Sequence, residues 1–175
     1  MDGFFDELFM MENYPAHCHN ATLVNENNIP IGSYTFDNNI LTKDYKFVLS
    51  NLKSAPRWVW SFNRNIAEYI FPIPPELSSE DPWFCLIIKK YCNNIYHINS
   101  DLYLYRQHSG GGWGGITNFS RNVMMFRARK NLALFPVLLE HKDKLNIDCD
   151  SVFWKLKNYY EVLLNGKKFT NIIFA

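Results

Sequence analysis

The order of apolar and polar positions along the chain predicts a domain that contains several short strands. Residues 16–24 (AHCHNATLV) have a strand pattern, and extended structure resumes at residues 31–34 after a polar turn. A short aromatic strand is predicted at residues 58–62, and two more strands are predicted at 95–98 and 102–105. Five extended segments of this length are enough to build one sheet.

Apolar residues at helical spacing predict helices at residues 2–12, 63–70, 120–144 and 150–164, with a kink at Pro136 in the third. The intervening stretches, residues 37–44 and the proline-rich 71–75, predict a loop and an extended segment. Strands interleaved with helices in this way indicate a mixed α/β or α+β domain.

The sharpest helix start in the sequence lies just before residue 83. Ser78 and Ser79 precede Glu80, Asp81 and Pro82, and an apolar run follows. A serine cap, acidic residues in the first turn and an early proline are all favoured at a helix N-terminus. The pattern therefore predicts a helix that begins here and is capped by serine.

Composition excludes some classes of function. The chain of 175 residues has 18 basic and 17 acidic side chains, so no positive field exists to hold a nucleic acid. No apolar run approaches the roughly 20 residues that span a bilayer. Asp2, Asp6 and Glu7 stand where a signal peptide would carry basic residues, which argues against export. These features predict a cytoplasmic location.

Two further sets of residues have a structural and a functional interpretation. Cys85 and Cys92 share a helix face without a C-x-x-C pair, and the interpretation favoured here is that they are small buried hydrophobes. His17 and His19 would share one face of a strand, but two ligands do not make a metal site, so we expect a core or cleft wall. The basic side chains of the late helix, Arg129 among them, favour a solvated face over a peripheral membrane contact, which stays open.

Three motifs follow one another along the chain: Phe62-Asn63-Arg64, then Ser79-Glu80-Asp81-Pro82-Trp83, then Leu104-Tyr105-Arg106-Gln107-His108. This ordered set resembles the second half of family 2 glycosyltransferases of the GT-A type. There an aromatic strand leads to an Asn-Arg helix, a Pro-rich approach, a Glu-Asp pair opening a helix, and strands ending in Tyr-Arg-x-His. The resemblance covers roughly residues 14–120 and implies an incomplete GT-A-like α/β sheet with C-terminal helices.

The resemblance also implies a reaction. An inverting transferase must deprotonate an acceptor hydroxyl while that hydroxyl attacks the anomeric carbon, and a carboxylate within hydrogen-bond reach can do this. In the family the aspartate of the Glu-Asp pair has this role, which falls here on Asp81, with Glu80 orienting the acceptor or the base. Trp83 is carried over as a substrate contact. The competing interpretation is that Glu80 and Asp81 only stabilise a helix end.

The remaining residues implied by the resemblance concern the sugar nucleotide. Arg106 would contact the diphosphate and His108 would bind a divalent metal, manganese or magnesium, together with Asp2 as the remnant of the family's acidic motif. The competing interpretation is that Arg106 and His108 are exposed side chains on a loop, which the residues taken singly favour. Trp113 lies in the glycine-rich stretch 110–115 and would stack on a sugar when this loop closes.

The resemblance divides the chain into residues 1–118, part of a GT-A-like domain, and residues 119–175, a helical extension. The donor-binding half of the family is expected before residue 1, in a split gene or a longer protein. The expected partners are a nucleotide-sugar donor and a sugar or lipid-linked acceptor, in polysaccharide biosynthesis. Two alternatives stay open: a non-catalytic carbohydrate- or protein-binding remnant of this fold, and an unrelated aromatic-rich interaction domain.

Overall fold

The computed structural model describes residues 13–51, 53–107, 121–148 and 151–165. These residues form an α/β structure with a mixed four-stranded sheet flanked by helices, followed by two long helices. In chain order the elements are β1 (Ala16–Val24), β2 (Pro30–Tyr34), α1 (Asn38–Thr42), α2 (Tyr45–Asn51), a 3-10 turn (Arg57–Val59), β3 (Trp60–Phe62), α3 (Arg64–Ile70), α4 (Asp81–Tyr91), β4 (Ile95–Arg106), α5 (Arg121–His141) and α6 (Ser151–Leu164).

Most predicted elements are confirmed, and one predicted loop is wrong. The strand predicted at residues 58–62 is present only at Trp60–Phe62, because Arg57–Val59 form a 3-10 turn. The strand at 16–24 and the helix after Asn63 have the expected positions, and the Asn63 side chain caps α3 by accepting from the Ile66 N–H. Residues 37–44, predicted as a loop, contain α1, because the Asp37 side chain accepts from the Asn39 N–H and stabilises the helix start. The helix predicted at residues 2–12 lies outside the described residues.

The first strand is the centre of the sheet. β4 runs parallel to β1 along its whole length, whereas β2 and β3 are antiparallel to it. A strand has only two edges, and β2 pairs with residues 21–24 while β3 pairs with residues 16–18. Those two short strands therefore follow one another along the edge of β1 that β4 leaves open.

The fourth strand replaces the two strands predicted at 95–98 and 102–105. β4 is continuous, but its register against β1 shifts: His19 pairs with Ile98, whereas Asn20 pairs with Asp101. Two extra residues of β4 are thus accommodated opposite one step of β1, as in a bulge. This irregularity is the reason why the apolar pattern of a single strand reads as two.

A polar side chain of β1 secures this irregular region. The Oδ1 atom of Asn20 lies 3.0 Å from both the Phe36 N–H and the His97 Nε2, and its amide donates to Asn99 at 3.2 Å. Asn20 is almost completely buried, so each of these bonds compensates for lost hydration. The amide thereby connects β1, the segment after β2 and both parts of β4.

Helix α4 forms much of the buried core in the part of the chain that contains the sheet. Six consecutive residues, Trp83–Ile88, are buried, because the helix packs against α2 and α3 and against the ring of Phe62 in β3, 6.0 Å from that of Phe84. The predicted serine cap is wrong: Glu80 occupies the N-cap position and makes no side-chain cap bond. The acidic first turn and the early proline are present as predicted.

The cysteines of this unit are buried, in agreement with their interpretation as small hydrophobes. Burial raises the pKa of the Cys18, Cys85 and Cys92 thiols to about 12, so they stay protonated and unreactive at neutral pH. Cys149 lies outside the described residues.

The chain divides into two compact units. The first comprises Met1–Pro72 and Glu80–Thr117, and the second comprises Ile73–Ser79 and Asn118–Ala175. The predicted boundary after residue 118 differs from this division by the segment Ile73–Ser79. In the second unit α5 and α6 form a helical hairpin, in which the buried rings of Phe135 and Phe153 meet edge to face with centroids 4.9 Å apart. Across the described ranges, no helix is both long and apolar enough to cross a membrane.

Candidate functional site

Two carboxylates at the start of α4 share one neighbour, Arg57. The main-chain N–H of Arg57 donates to Asp81 Oδ1 at 2.8 Å, and its guanidinium Nη1 donates to Glu80 Oε1 at 2.9 Å. Both acidic side chains are only partly buried. One residue thus fixes the positions of two carboxylates that remain accessible to solvent.

The position of Arg57 follows from the local sequence. Pro56 precedes a tight 3-10 turn, in which the Val59 N–H donates to the Pro56 carbonyl at 3.1 Å. The first N–H groups of such a turn have no acceptor within the turn. Asp81 supplies an acceptor for the N–H of Arg57, which is a structural reason for a carboxylate at this point.

Four aromatic side chains form a cluster around Trp58. Trp58, the residue after Arg57, is stacked almost parallel on Tyr103 and on Tyr105, with ring centroids 5.3 and 4.7 Å away and interplanar angles of 19° and 17°. Tyr34 meets Trp58 edge to face at 5.3 Å. We call Tyr34, Trp58, Tyr103 and Tyr105 the aromatic platform.

The sheet register explains why these rings converge. Ala21 of β1 pairs with Tyr34 of β2 on one side and with Tyr103 of β4 on the other. Directly opposed residues project from the same face of a sheet, and so does Tyr105, two residues after Tyr103. The small Ala21 leaves space between the tyrosines. Because Trp58 contacts rings on both sides of β1, its indole spans this strand.

His19 lies at the edge of the platform, with its ring 6.5 Å from that of Trp58. Its Nδ1 is 2.7 Å from the Asn20 carbonyl oxygen, which can only accept, so Nδ1 carries the proton. The Nε2 atom of a neutral His19 is then an acceptor. His19 and the neighbouring His17 are both buried, as expected for a core or cleft wall.

The electrostatic environment keeps Tyr34 protonated. Burial raises the pKa of its phenol well above the ordinary value, and the nearby Cys18, Cys85, Asp37 and Asp81 add to the increase. At neutral pH the phenol of Tyr34 therefore keeps its proton and can donate a hydrogen bond.

The other predicted substrate contacts among the described residues lie elsewhere. Trp83 is 2% exposed and its indole N–H donates to the Ile70 carbonyl at 3.0 Å, so the structure uses it for packing. Arg106 is exposed at the end of β4, where Nε and Nη2 donate to Asn28 Oδ1 at 3.2 and 2.7 Å. Its guanidinium secures the turn between β1 and β2, and its contact with a diphosphate stays a prediction.

The predicted metal site cannot be assembled from the described residues. Asp2 and His108, its predicted ligands, lie outside them, as does Trp113. Within the described ranges no group of three or more His, Cys, Asp and Glu side chains is arranged to hold a metal ion.

Sequence reasoning missed Arg57, Trp58, Tyr34, Tyr103 and Tyr105. One signal was present: Tyr103 and Tyr105 are two residues apart in a predicted strand, which places both on one face. The high aromatic share of the chain, 17%, was a second signal, but it also fits a plain core. The convergence of these residues depends on the strand order, which local patterns do not encode.

No protein-family model, curated protein or solved structure matches this chain.

Proposed function

We propose that this chain is the acceptor-binding part of an inverting glycosyltransferase of the GT-A type, related to family 2, with Asp81 as the catalytic base. The observation that carries the proposal is the position of Asp81 and Glu80. Both are tied to Arg57, and Arg57 directly precedes the central ring of the aromatic platform. Carboxylates beside exposed aromatic rings are suited to hold and deprotonate a sugar hydroxyl.

In the proposed reaction the oxygen of an acceptor hydroxyl attacks the anomeric carbon of a nucleotide sugar. The hydroxyl proton passes to the Asp81 carboxylate as the new glycosidic bond forms. The bond from the anomeric carbon to the diphosphate oxygen breaks, and the nucleoside diphosphate leaves with the electron pair. Glu80, held by Arg57, would accept a hydrogen bond from a second hydroxyl and so orient the acceptor.

Two features of the chain support this role for Asp81. It is the first residue of α4, where the partial positive charge of the helix end favours the ionised form that a base requires. The elements around it also follow the order of the resemblance. An aromatic strand leads to a helix that Asn63 caps, and a proline-rich segment leads to the Glu-Asp helix and then to a strand that ends at Arg106.

A second candidate is a carbohydrate-binding module without turnover. The favouring observation is that both carboxylates already accept hydrogen bonds from Arg57, which gives them a structural role independent of catalysis. The aromatic platform would be needed in either case. Turnover therefore separates the two candidates, whereas sugar binding alone does not.

The test is transfer from a panel of nucleotide sugars to simple glycosides, with manganese and with magnesium. It is run on this chain and on the chain extended by any coding sequence that precedes it. Loss of a general base lowers rates by about 10²–10⁴-fold, so we expect Asp81→Asn to reduce transfer by that factor. The matched control is Glu68→Gln, an exposed carboxylate on α3, which we expect to leave the rate unchanged.

Transfer that survives Asp81→Asn would show that Asp81 is not the base. Absence of transfer from every protein, combined with intact sugar binding, would replace the transferase by the binding module.

A further inference from the structure

We infer that the aromatic platform is a binding surface for the pyranose ring of a carbohydrate. The assignment of the platform as the acceptor subsite rests on the proposed function. The inference that the platform binds a pyranose rests on the geometry of its four rings. Tyr103 is 45% exposed, and the other three rings are half-buried. Exposed rings held in one orientation cost little entropy on binding, because their neighbours already fix them.

The polar groups at the edge of the platform match the hydroxyls of a sugar. Among the described residues, none makes a hydrogen bond to the hydroxyls of Tyr34, Tyr103 and Tyr105, and a phenol hydroxyl can both donate and accept. The Glu80 carboxylate accepts a hydrogen bond from Arg57, which directly precedes Trp58 in the chain. A pyranose has an apolar C–H face and a rim of hydroxyls, and this surface offers flat rings surrounded by hydrogen-bonding groups.

The charge distribution argues against a phosphate-bearing ligand at the platform. Arg57, the cation next to Trp58, forms an ion pair with Glu80 at 2.9 Å and lies beside Asp81. Because the Arg57 guanidinium is already paired with the Glu80 carboxylate, this cation is a poor partner for a phosphate group.

A quaternary ammonium ligand is disfavoured by geometry. Aromatic cages for such cations surround the charge with ring faces. Here the indole of Trp58 is nearly parallel to the rings of Tyr103 and Tyr105, so the three form a flat stack without a central cavity. The ring faces that the members of this stack do not cover are suited to the flat face of a ligand, and Tyr103 is the most exposed ring of the stack.

The experiment measures binding of methyl β-glucopyranoside, methyl β-galactopyranoside and cellobiose to this chain. Saturation-transfer NMR identifies the bound sugar face, and titration gives Kd. We expect saturable binding of at least one probe through its C–H face, and a loss of at least about tenfold in affinity in Trp58→Ala. The matched control is Trp154→Ala, which removes a partly exposed tryptophan from α6 in the other unit and leaves Kd unchanged.

A second variant covers the case in which Trp58→Ala does not fold. Tyr103→Ala removes an exposed ring and leaves the buried strand contacts in place, and we expect at least about a threefold loss of affinity. Circular dichroism establishes folding of each variant.

Several results would overturn the inference. They are the absence of binding by all three sugars, unchanged affinity in folded Trp58→Ala or in Tyr103→Ala, and tighter binding of choline than of any sugar. This test and the test of the proposed function can fail independently. If the protein binds sugar in a way that requires Trp58 but has no transfer activity, the inference about the platform holds and the transferase proposal is wrong.

Discussion

The two units of the chain use their aromatic side chains differently. In the sheet unit the indole of Trp58 is stacked on Tyr103 and Tyr105, and the stack is partly exposed. In the helical hairpin Phe135 and Phe153 are fully buried and meet at 73°, the arrangement of a packed core. Burial accounts for the second pair completely. It does not account for a partly exposed stack, and this difference is the reason to seek function in the sheet unit.

The surfaces of the two units also differ in polarity. The hairpin has a groove of about 460 Å³, which is mainly apolar and has the ion pair of Lys157 and Glu161 at its edge. The aromatic platform, in contrast, combines rings with hydroxyls and has the imidazole of His19 at its edge. A variety of hydrogen-bonding groups on one surface indicates recognition of a polar ligand, whereas an apolar groove indicates incomplete packing.

The largest expected effect is the loss of stability when a buried tryptophan is replaced by alanine, compared with the same change at an exposed tryptophan. Trp83→Ala removes a buried ring and the hydrogen bond to Ile70, so we expect a loss of about 3–5 kcal/mol in the free energy of unfolding. Trp154→Ala changes a side chain that is 44% exposed, and we expect a loss below about 1 kcal/mol. Urea unfolding followed by circular dichroism measures both. Equal losses would contradict the assignment of Trp83 to the core.

The next largest effect is a gain of stability, and it concerns the helical hairpin of α5 and α6. Pro136 lies inside α5 and cannot donate a hydrogen bond to the Leu132 carbonyl, one turn earlier. Pro136→Ala restores this donor, although it also gives the unfolded chain more freedom. We expect a net gain of about 1–2 kcal/mol in the free energy of unfolding.

The control for this variant is Ala133→Gly, which lies in the same groove and should destabilise α5 by about 1 kcal/mol. A loss of stability in Pro136→Ala would show that the proline is required by the packing of this helix.

The smallest effect is a pH dependence in the sheet unit. A hydrogen bond from Lys53 lowers the pKa of Asp37 below its ordinary value of 3.8, and a second bond from the Asn39 N–H adds to this. A carboxyl with a lowered folded-state pKa contributes stability that is present above pH 4 and is lost as the pH falls below it. Since both side chains are largely solvated, we expect a contribution below about 1 kcal/mol.

The contribution of the Asp37 carboxylate is measured from the free energy of unfolding between pH 6 and pH 3, with Asp37→Asn for comparison. Asparagine still caps α1 but does not titrate, so the difference between the two proteins should shrink as the pH falls. A constant difference would mean that the ion pair with Lys53 contributes no measurable stability.

Local sequence was sufficient for most of the secondary structure. Alternating and buried apolar runs placed β1, and Asn63 marked the start of α3 through a side-chain cap that acts within four residues. The carboxylate pair was also found from sequence, because acidic residues and an early proline at a helix start form a local signal. α1 was missed because its single helical turn depends on one cap by Asp37.

The sequence by itself determined the long helices and the position of Glu80 and Asp81 at a helix start, since each depends on interactions between residues close along the chain. It left the fold class open between α/β and α+β. Tertiary structure alone decided which residues surround Glu80 and Asp81. Arg57 reaches α4 across 24 positions in the chain, from Arg57 to Asp81. Tyr34 and Tyr103 meet Trp58 because both pair with Ala21 in β1. Strand order and register are properties of the whole sheet, and they bring together rings that no local pattern connects.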